Sequence, residues 1–405
     1  MSASCEAAPR SHARWTPPEA VDGVHWVAAA ECAGEGAFAA QFASLLAVID
    51  QPTRRGPAAP VVVCGTVFLR GQGDRPEAAR LLAAHFNDSV PPVSFVVQPP
   101  ASGAAAAVEW WGIDAGAAQV ERFGAEVTTV TARGLRWLHV GGIAVDAGPV
   151  AHAQTHTGLE RIGRALAVAG GDLGALVRTW FYLGEIGGHE AGGERYQEFN
   201  RGRSEVYRGV HFRAGTGGGA DRPIYPASTG IGMEGGGLTL AGLALQSERG
   251  DVVLRTIENP GQVPAYQYSR RYSPESPKFS RAMSVTADDF AGLWVSGTAS
   301  IRDSESTHVG DFDGQVRQTM ENIERLISPA NLAAHGLERG GATLADLAVA
   351  RVYLKRAADA ARCEELLRPL FGDAPVIQVV ADVCRPELLV EIEAAFFPRC
   401  GRARP

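Results

Sequence analysis

Leu135-Arg136-Trp137-Leu138-His139-Val140-Gly141-Gly142-Ile143 is an apolar, β-prone run that ends at small residues, and Leu293-Trp294-Val295-Ser296-Gly297-Thr298-Ala299 repeats the pattern further along the chain. Runs of this kind, closed by a small-residue bend, read as buried strands. A Gln-led amphipathic helix follows each. Residues 154–169 carry Leu159, Ile162, Leu166 and Ala169 at helical spacing, and residues 315–327 carry Met320, Ile323 and Ile327. A helix-to-strand unit comes next, at 173–183 and at 344–354, ending in Trp180-Phe181-Tyr182-Leu183 and in Arg351-Val352-Tyr353-Leu354. Aligning Tyr182 with Tyr353 also aligns Leu173 with Leu344 and Leu176 with Leu347. Another helix (194–207 and 358–370) and closing strands (237–247, then 376–383 and 388–397) complete the copies. Each copy reads β-α-β-α-β-β, which predicts an α+β fold of tandem units, mixed sheets with helices on one face.

Outward from the repeat, residues 23–132 read as a third, degenerate unit, with a strand at 59–69, a helix at 77–86 and a strand at 90–97. It lacks the Gln-led helix. The expected division is a disordered 1–22, the degenerate unit at 23–132, a second unit at 133–255, a linker at 256–284 and a C-terminal unit at 285–398. Of 405 residues, 45% are apolar and 20% charged, enough to build real cores. The formal charge of −7 gives no basic field, which excludes non-specific nucleic-acid binding. No apolar stretch reaches the roughly 18 residues of a membrane span, so no membrane partner is expected. The first 18 residues lack an apolar core of the secretory kind. Six cysteines without a CxxC fit free thiols and a cytoplasmic protein.

The repeat resembles the YjgF/RidA fold. The pieces are Val295-Ser296-Gly297, then Gln318-Thr319-Met320-Glu321-Asn322-Ile323, then Val390-Glu391-Ile392-Glu393. Proteins of that fold are homotrimers with clefts between subunits, so a chain with two or three copies would imitate the trimer in one molecule. The resemblance thus implies a monomer with an internal pseudo-trimer, or a weak oligomer. Three further segments resemble the chorismatases: Tyr225-Pro226-Ala227-Ser228-Thr229-Gly230-Ile231-Gly232, the stretch from Ala265-Tyr266-Gln267-Tyr268 to Ser280-Arg281-Ala282, and Ser296-Gly297-Thr298-Ala299-Ser300. The match covers roughly residues 135–398. It implies an enzyme of secondary metabolism that takes chorismate, a small-molecule substrate, and releases pyruvate with no metal or organic cofactor.

Glu391 and Glu393 lie two apart in a strand and share a face, with Val390 and Ile392 on the other. The apolar pair must meet the helices, so the glutamates face a neighbouring unit or solvent. The chorismatase pattern makes the first of them the catalytic acid, which is Glu391 here. Chorismate is a dianion and calls for fixed guanidinium forks. Arg281 stands in a substrate-contacting segment of the fold. Arg203 and Tyr207, four apart, share a helix face, and Tyr268 and Tyr225 adjoin the family-like segments. Gly297 and Cys384 would line the pocket, and that pair resembles the 3-hydroxybenzoate-forming branch. An alanine pair resembles the hydrolytic branch, which makes a dihydroxycyclohexadiene acid. Other readings are a mixed 3-/4-hydroxybenzoate producer, a YjgF-type imine deaminase and a non-catalytic small-molecule binder. Asp146, His152 and His156 are a weak metal cluster that reads as ordinary surface residues, and 215–219 reads as a flexible glycine-rich loop.

Overall fold

Ala132 and Leu135 face each other across a two-residue turn, with Arg133 at φ 52° and Gly134 at φ 73°. Left-handed values at both turn positions belong to the tight hairpin whose twist matches that of the strands it joins. Strand Val127–Ala132 therefore folds straight back onto strand Leu135–Val145. The computed structural model that shows this describes residues 12–32, 36–49, 60–148, 150–213, 223–269 and 273–399. The hairpin moves a boundary. Strands Gln119–Phe123 and Val127–Ala132, expected in the N-terminal unit, join the second sheet. Likewise strands Val253–Ile257 and Ala282–Ala287 pair with each other in the third sheet, so the expected linker 256–284 begins and ends in strands. Residues 12–16, expected to lack structure, form a strand against His25–Glu31. Residues 1–11, 215–219 and 400–405 lie outside the described residues.

Three sheets share one plan. In the first, Pro60–Leu69 pairs parallel with Val93–Val97 and antiparallel with Ala106–Asp114, which pairs with His25–Glu31. In the second, the same roles fall to Leu176–Gly184, Ala227–Met233, Leu238–Ser247 and Leu135–Val145. In the third they fall to Leu347–Leu354, Val376–Val380, Val390–Phe396 and Phe290–Ala299. The N-terminal region is thus a unit of the same build. Its α1 (Phe38–Ile49) and α2 (Arg75–His85) stand where the second unit has α3 (Ala151–Val168) and α4 (Arg195–Tyr207). The third unit has α5 (Phe312–Ile327), α6 (Pro329–Ala334) and α7 (Ala360–Phe371). Among the described residues no helix is long and apolar enough to cross a membrane.

Each sheet buries one face under its own helices. The other faces meet in clusters drawn from all three units, one around Val63, Trp137 and Trp294, another around Phe68, Tyr182 and Tyr353. A buried ionic network crosses the same junction. Arg351 of the third unit grips Glu109 of the first through two bonds of 2.8 and 2.9 Å, and lies 3.3 Å from Glu393. Glu393 in turn accepts from Arg178 (2.7 Å), from the Trp180 indole (2.8 Å) and from the Thr229 hydroxyl, all of the second unit. Removing one partner of a buried pair strands the other, at a cost of about 3–5 kcal/mol. Arg351→Met should lose that much stability in equilibrium urea unfolding. A loss under about 1 kcal/mol would mean the network does not hold the units together.

Candidate active site

Val390 and Ile392 pack into the helix-covered core of the third unit, and this fixes where the alternate residues point. Glu391 and Glu393 face the second unit, buried at 5% and 4% exposure. Their surroundings differ. Glu393 is satisfied by the network described above. Glu391 makes no hydrogen bond or ion pair among the described residues, and it opens onto a cavity of ≈ 300 Å³. Burial raises its carboxyl, and the neighbouring Glu393 charge raises it further, to about 8, against the pull of Arg178 and Arg281.

The cavity lies between the second and third units. Arg203 and Tyr196 reach it from α4, and Ser228 and Gly230 from strand Ala227–Met233. Tyr268, Phe279 and Arg281 come from the segment between strands Val253–Ile257 and Ala282–Ala287 of the third sheet, and Cys384, Arg385 and Glu387 from the turn before strand Val390–Phe396. A smaller cavity of ≈ 50 Å³, walled by Trp111, Trp137 and Trp294 at the three-sheet junction, is too tight for a ring substrate.

Gly297 sits in a bulge. Val295 pairs with Ala394 and Thr298 with Ile392, so Ser296 and Gly297 together oppose one residue, Glu393. The small-residue bends read as strand ends are bulges instead, because the ladder resumes on the far side and the strands run on to Ala299 and Val145. A Cβ at Gly297 would lie 1.9 Å from Glu391 Oε1, so glycine here makes room for the carboxyl. Thr229 Oγ1 accepts a bond of 3.0 Å from the Gly297 amide.

Arg203 and Arg281 are exposed by only 1% and 3%, and neither forms a salt bridge among the described residues. Arg203 donates to Asn200 Oδ1 (2.7 Å) and lies 4.8 Å from the Phe199 ring centre. Arg281 donates to the Tyr268 hydroxyl (2.5 Å) and the Val263 carbonyl (3.2 Å). The Nε of each is buried without a hydrogen-bond partner. A buried cation lacking a counter-ion is costly, and an anionic ligand removes that cost.

Six expected site residues, Glu391, Arg281, Tyr268, Arg203, Gly297 and Cys384, thus meet at one cavity. Tyr207 and Tyr225 do not reach its wall. Their rings stack 6.2 Å apart and pack on the core of the second unit. Cys384, expected at a strand end, lies in the turn, because the strand stops at Val380. Burial, with the Glu391 charge, pushes its thiol up to about 12, so it is no nucleophile. Tyr196, Phe279 and Arg385 were not foreseen. Tyr196 stands seven residues before Arg203, two turns back on the same face of α4, which was a readable signal. Gln315, leading the repeat helix, fixes the turn: it donates to the Glu387 carbonyl (2.9 Å) and accepts from the Leu389 amide (2.8 Å).

Residues 116–244 match the family model described as chorismatase FkbO/Hyg5-like, N-terminal. A 3-hydroxybenzoate synthase of Streptomyces hygroscopicus is 42% identical over 225 residues, 54% of this chain and 62% of that protein. A RutC family protein of Pyrococcus abyssi is 31% identical over 106 residues, 25% of this chain and 75% of that protein. The crystal structure of a chorismatase superposes with a TM-score of 0.65 at 23% identity, covering 96% of this chain and 99% of the other. The chain spans about three-fifths of the length of the Streptomyces relatives it matches.

The Glu391 carboxyl makes stability depend on pH in an unusual sense. Its folded value lies above the ordinary 4.5, so the folded state holds an extra proton between that value and about 8. Stability therefore falls as pH rises through this window and stays low above it. Glu391→Gln should be close to wild type in urea midpoint near about pH 4 and more stable than wild type above about pH 8. Midpoints that run parallel across the range would show an ordinary carboxyl.

Proposed function

We propose that this chain, which is similar to the chorismatases, converts chorismate to 3-hydroxybenzoate and pyruvate. The observation that carries this reading is one cavity holding a carboxyl raised to about 8 beside two buried guanidiniums that form no salt bridge among the described residues. Chorismate is a dianion with an acid-labile enol ether. The site offers cationic donors for its carboxylates and a proton for its methylene carbon.

Arg281 and Arg203 hold the two carboxylates, and the rings of Tyr268 and Phe279 confine the substrate. Glu391, protonated at neutral pH, transfers its proton to the enol-ether methylene. Positive charge then develops at the pyruvyl carbon. The ring C4 hydroxyl attacks C3 and displaces the pyruvyl oxygen, and its proton returns to the Glu391 carboxylate. Pyruvate leaves, and the resulting epoxide rearomatises to the phenol. Atoms balance without added water, and the scheme needs no metal or organic cofactor. Both walls of the cavity come from one chain, so no second subunit is required at this site. The four described cysteines are free thiols, in keeping with a reducing cytoplasm.

Gly297 and Cys384 select this branch over hydrolysis. The internal attack needs a near-attack geometry that small displacements spoil. An alanine at 297 would collide with Glu391 Oε1 and move the proton donor.

Glu391→Gln should lower turnover about 10²–10⁴-fold in a pyruvate-release assay. Wild-type kcat/KM should fall as pH rises through about 8, the value at which the acid loses its proton. Near-wild-type turnover by folded Glu391→Gln would remove it from the mechanism. Arg281→Ala should raise KM roughly tenfold or more, from losing about 1.5–3 kcal/mol of charge-assisted bonding. An unchanged KM would mean that Arg281 only packs.

Gly297→Ala combined with Cys384→Ala should shift product toward the dihydroxycyclohexadiene acid, with pyruvate release reduced less than 3-hydroxybenzoate formation. Chromatography of the products beside the pyruvate assay reads the ratio. Loss of all activity at an unchanged ratio would mean that these positions do not select the branch.

A further inference from the structure

α3 and α4 cross so closely that a Cβ on Gly202 would lie 2.7 Å from the His152 carbonyl oxygen. On the same helix pair, outside the cavity, three ligand-type side chains converge. His152 and His156 are four apart and share a face of α3, and Glu205 meets them from α4. The two imidazole Nε2 atoms lie 2.7 and 3.0 Å from a single oxygen, Glu205 Oε2. The ring centres are 4.9 Å apart, and the three ligand atoms all lie within 4.8 Å of one another. Asp146, the partner suggested by the sequence, is not in the group. Side-chain exposures of 23%, 34% and 33% leave the cluster open to solvent ions.

Two nitrogens aimed at one carboxylate oxygen make a weak ion pair at partly exposed positions. The same atoms suit a metal better. A tetrahedral ion with bonds of about 2.0–2.1 Å holds its ligand atoms roughly 3.3 Å apart, a small rotation from the separations here. Two histidines and one glutamate are a complete three-ligand zinc set with a fourth position for water. All three stand on helices that already touch, so little order is lost on binding. Histidine with carboxylate favours Zn²⁺ and its transition-metal neighbours over Mg²⁺ or Ca²⁺, which prefer all-oxygen sites.

We propose that His152, His156 and Glu205 form a binding site for a divalent transition-metal ion, Zn²⁺ by ligand type, that clamps α3 to α4. Since α4 presents Tyr196 and Arg203 to the cavity, the ion would stiffen that wall from behind. The site takes no part in the proposed reaction, and its existence does not rest on that reading.

The test uses the full chain, stripped with a chelator and titrated with Zn²⁺ or Mg²⁺ by calorimetry and thermal unfolding. Zn²⁺ should bind at one site that raises the unfolding midpoint, and Mg²⁺ should not. His156→Ala and Glu205→Gln should each weaken that binding at least tenfold and abolish the rise. Their metal-free midpoints should stay near wild type, because the group is partly exposed. Co²⁺ titration of the wild type supplies a second readout that needs no variant. An intense visible spectrum without a sulfur charge-transfer band marks a tetrahedral nitrogen–oxygen site. Absence of Zn²⁺ binding, binding unaffected by both substitutions, or a thiolate spectrum would each overturn the proposal.

Discussion

Arg351 stands where the three sheets meet, bonded to Glu109 and 3.3 Å from Glu393, and the junction depends on this buried ionic contact. Glu393 is held by Arg351, Arg178, Trp180 and Thr229. Two residues away, Glu391 shares the burial but none of those bonds, and it feels Glu393 as a like charge. Identical side chains on one strand face thus have different surroundings, one bonded on all sides and one open to the cavity.

Three similar units give three comparable junctions, and their register explains why only one carries the acid. Glu391 pairs with Tyr353; the matching pairs are Thr239 with Tyr182 in the second unit and Ala107 with Phe68 in the first. Neither threonine nor alanine carries a carboxyl. The Gly297 bulge provides space for the acid, and Gln315 anchors the turn that brings Cys384 and Arg385 to its cavity. These devices sit on the third unit, while Arg203 and Tyr196 come from the second. The cavity is therefore a property of the junction, and neither unit holds it alone.

Much of this was legible in the sequence because it is local. Period-two alternation placed Glu391 and Glu393 on one face, and the repeat of strand, Gln-led helix and strand announced the α+β units. What was not legible depends on contacts distant in the chain. Arg203 was placed among the substrate contacts by its helix face, but nothing near it in sequence reveals that Phe279 and Ser228 close over it. Tyr207 and Tyr225 lie in suggestive segments, yet their rings turn to each other and away from the cavity. The Arg133–Gly134 turn was a local signal, but the position of the strands it joins in the second sheet became clear only from their pairing.

We propose that one chain with one acid in one cavity cleaves chorismate without water entering the product. Incubation of the purified protein with chorismate, followed by chromatographic identification and quantification of both products, tests it directly. The account predicts 3-hydroxybenzoate and pyruvate in equal amounts. Release of pyruvate with the non-aromatic dihydroxy acid would contradict the assigned branch, and no pyruvate at all would contradict the assigned chemistry.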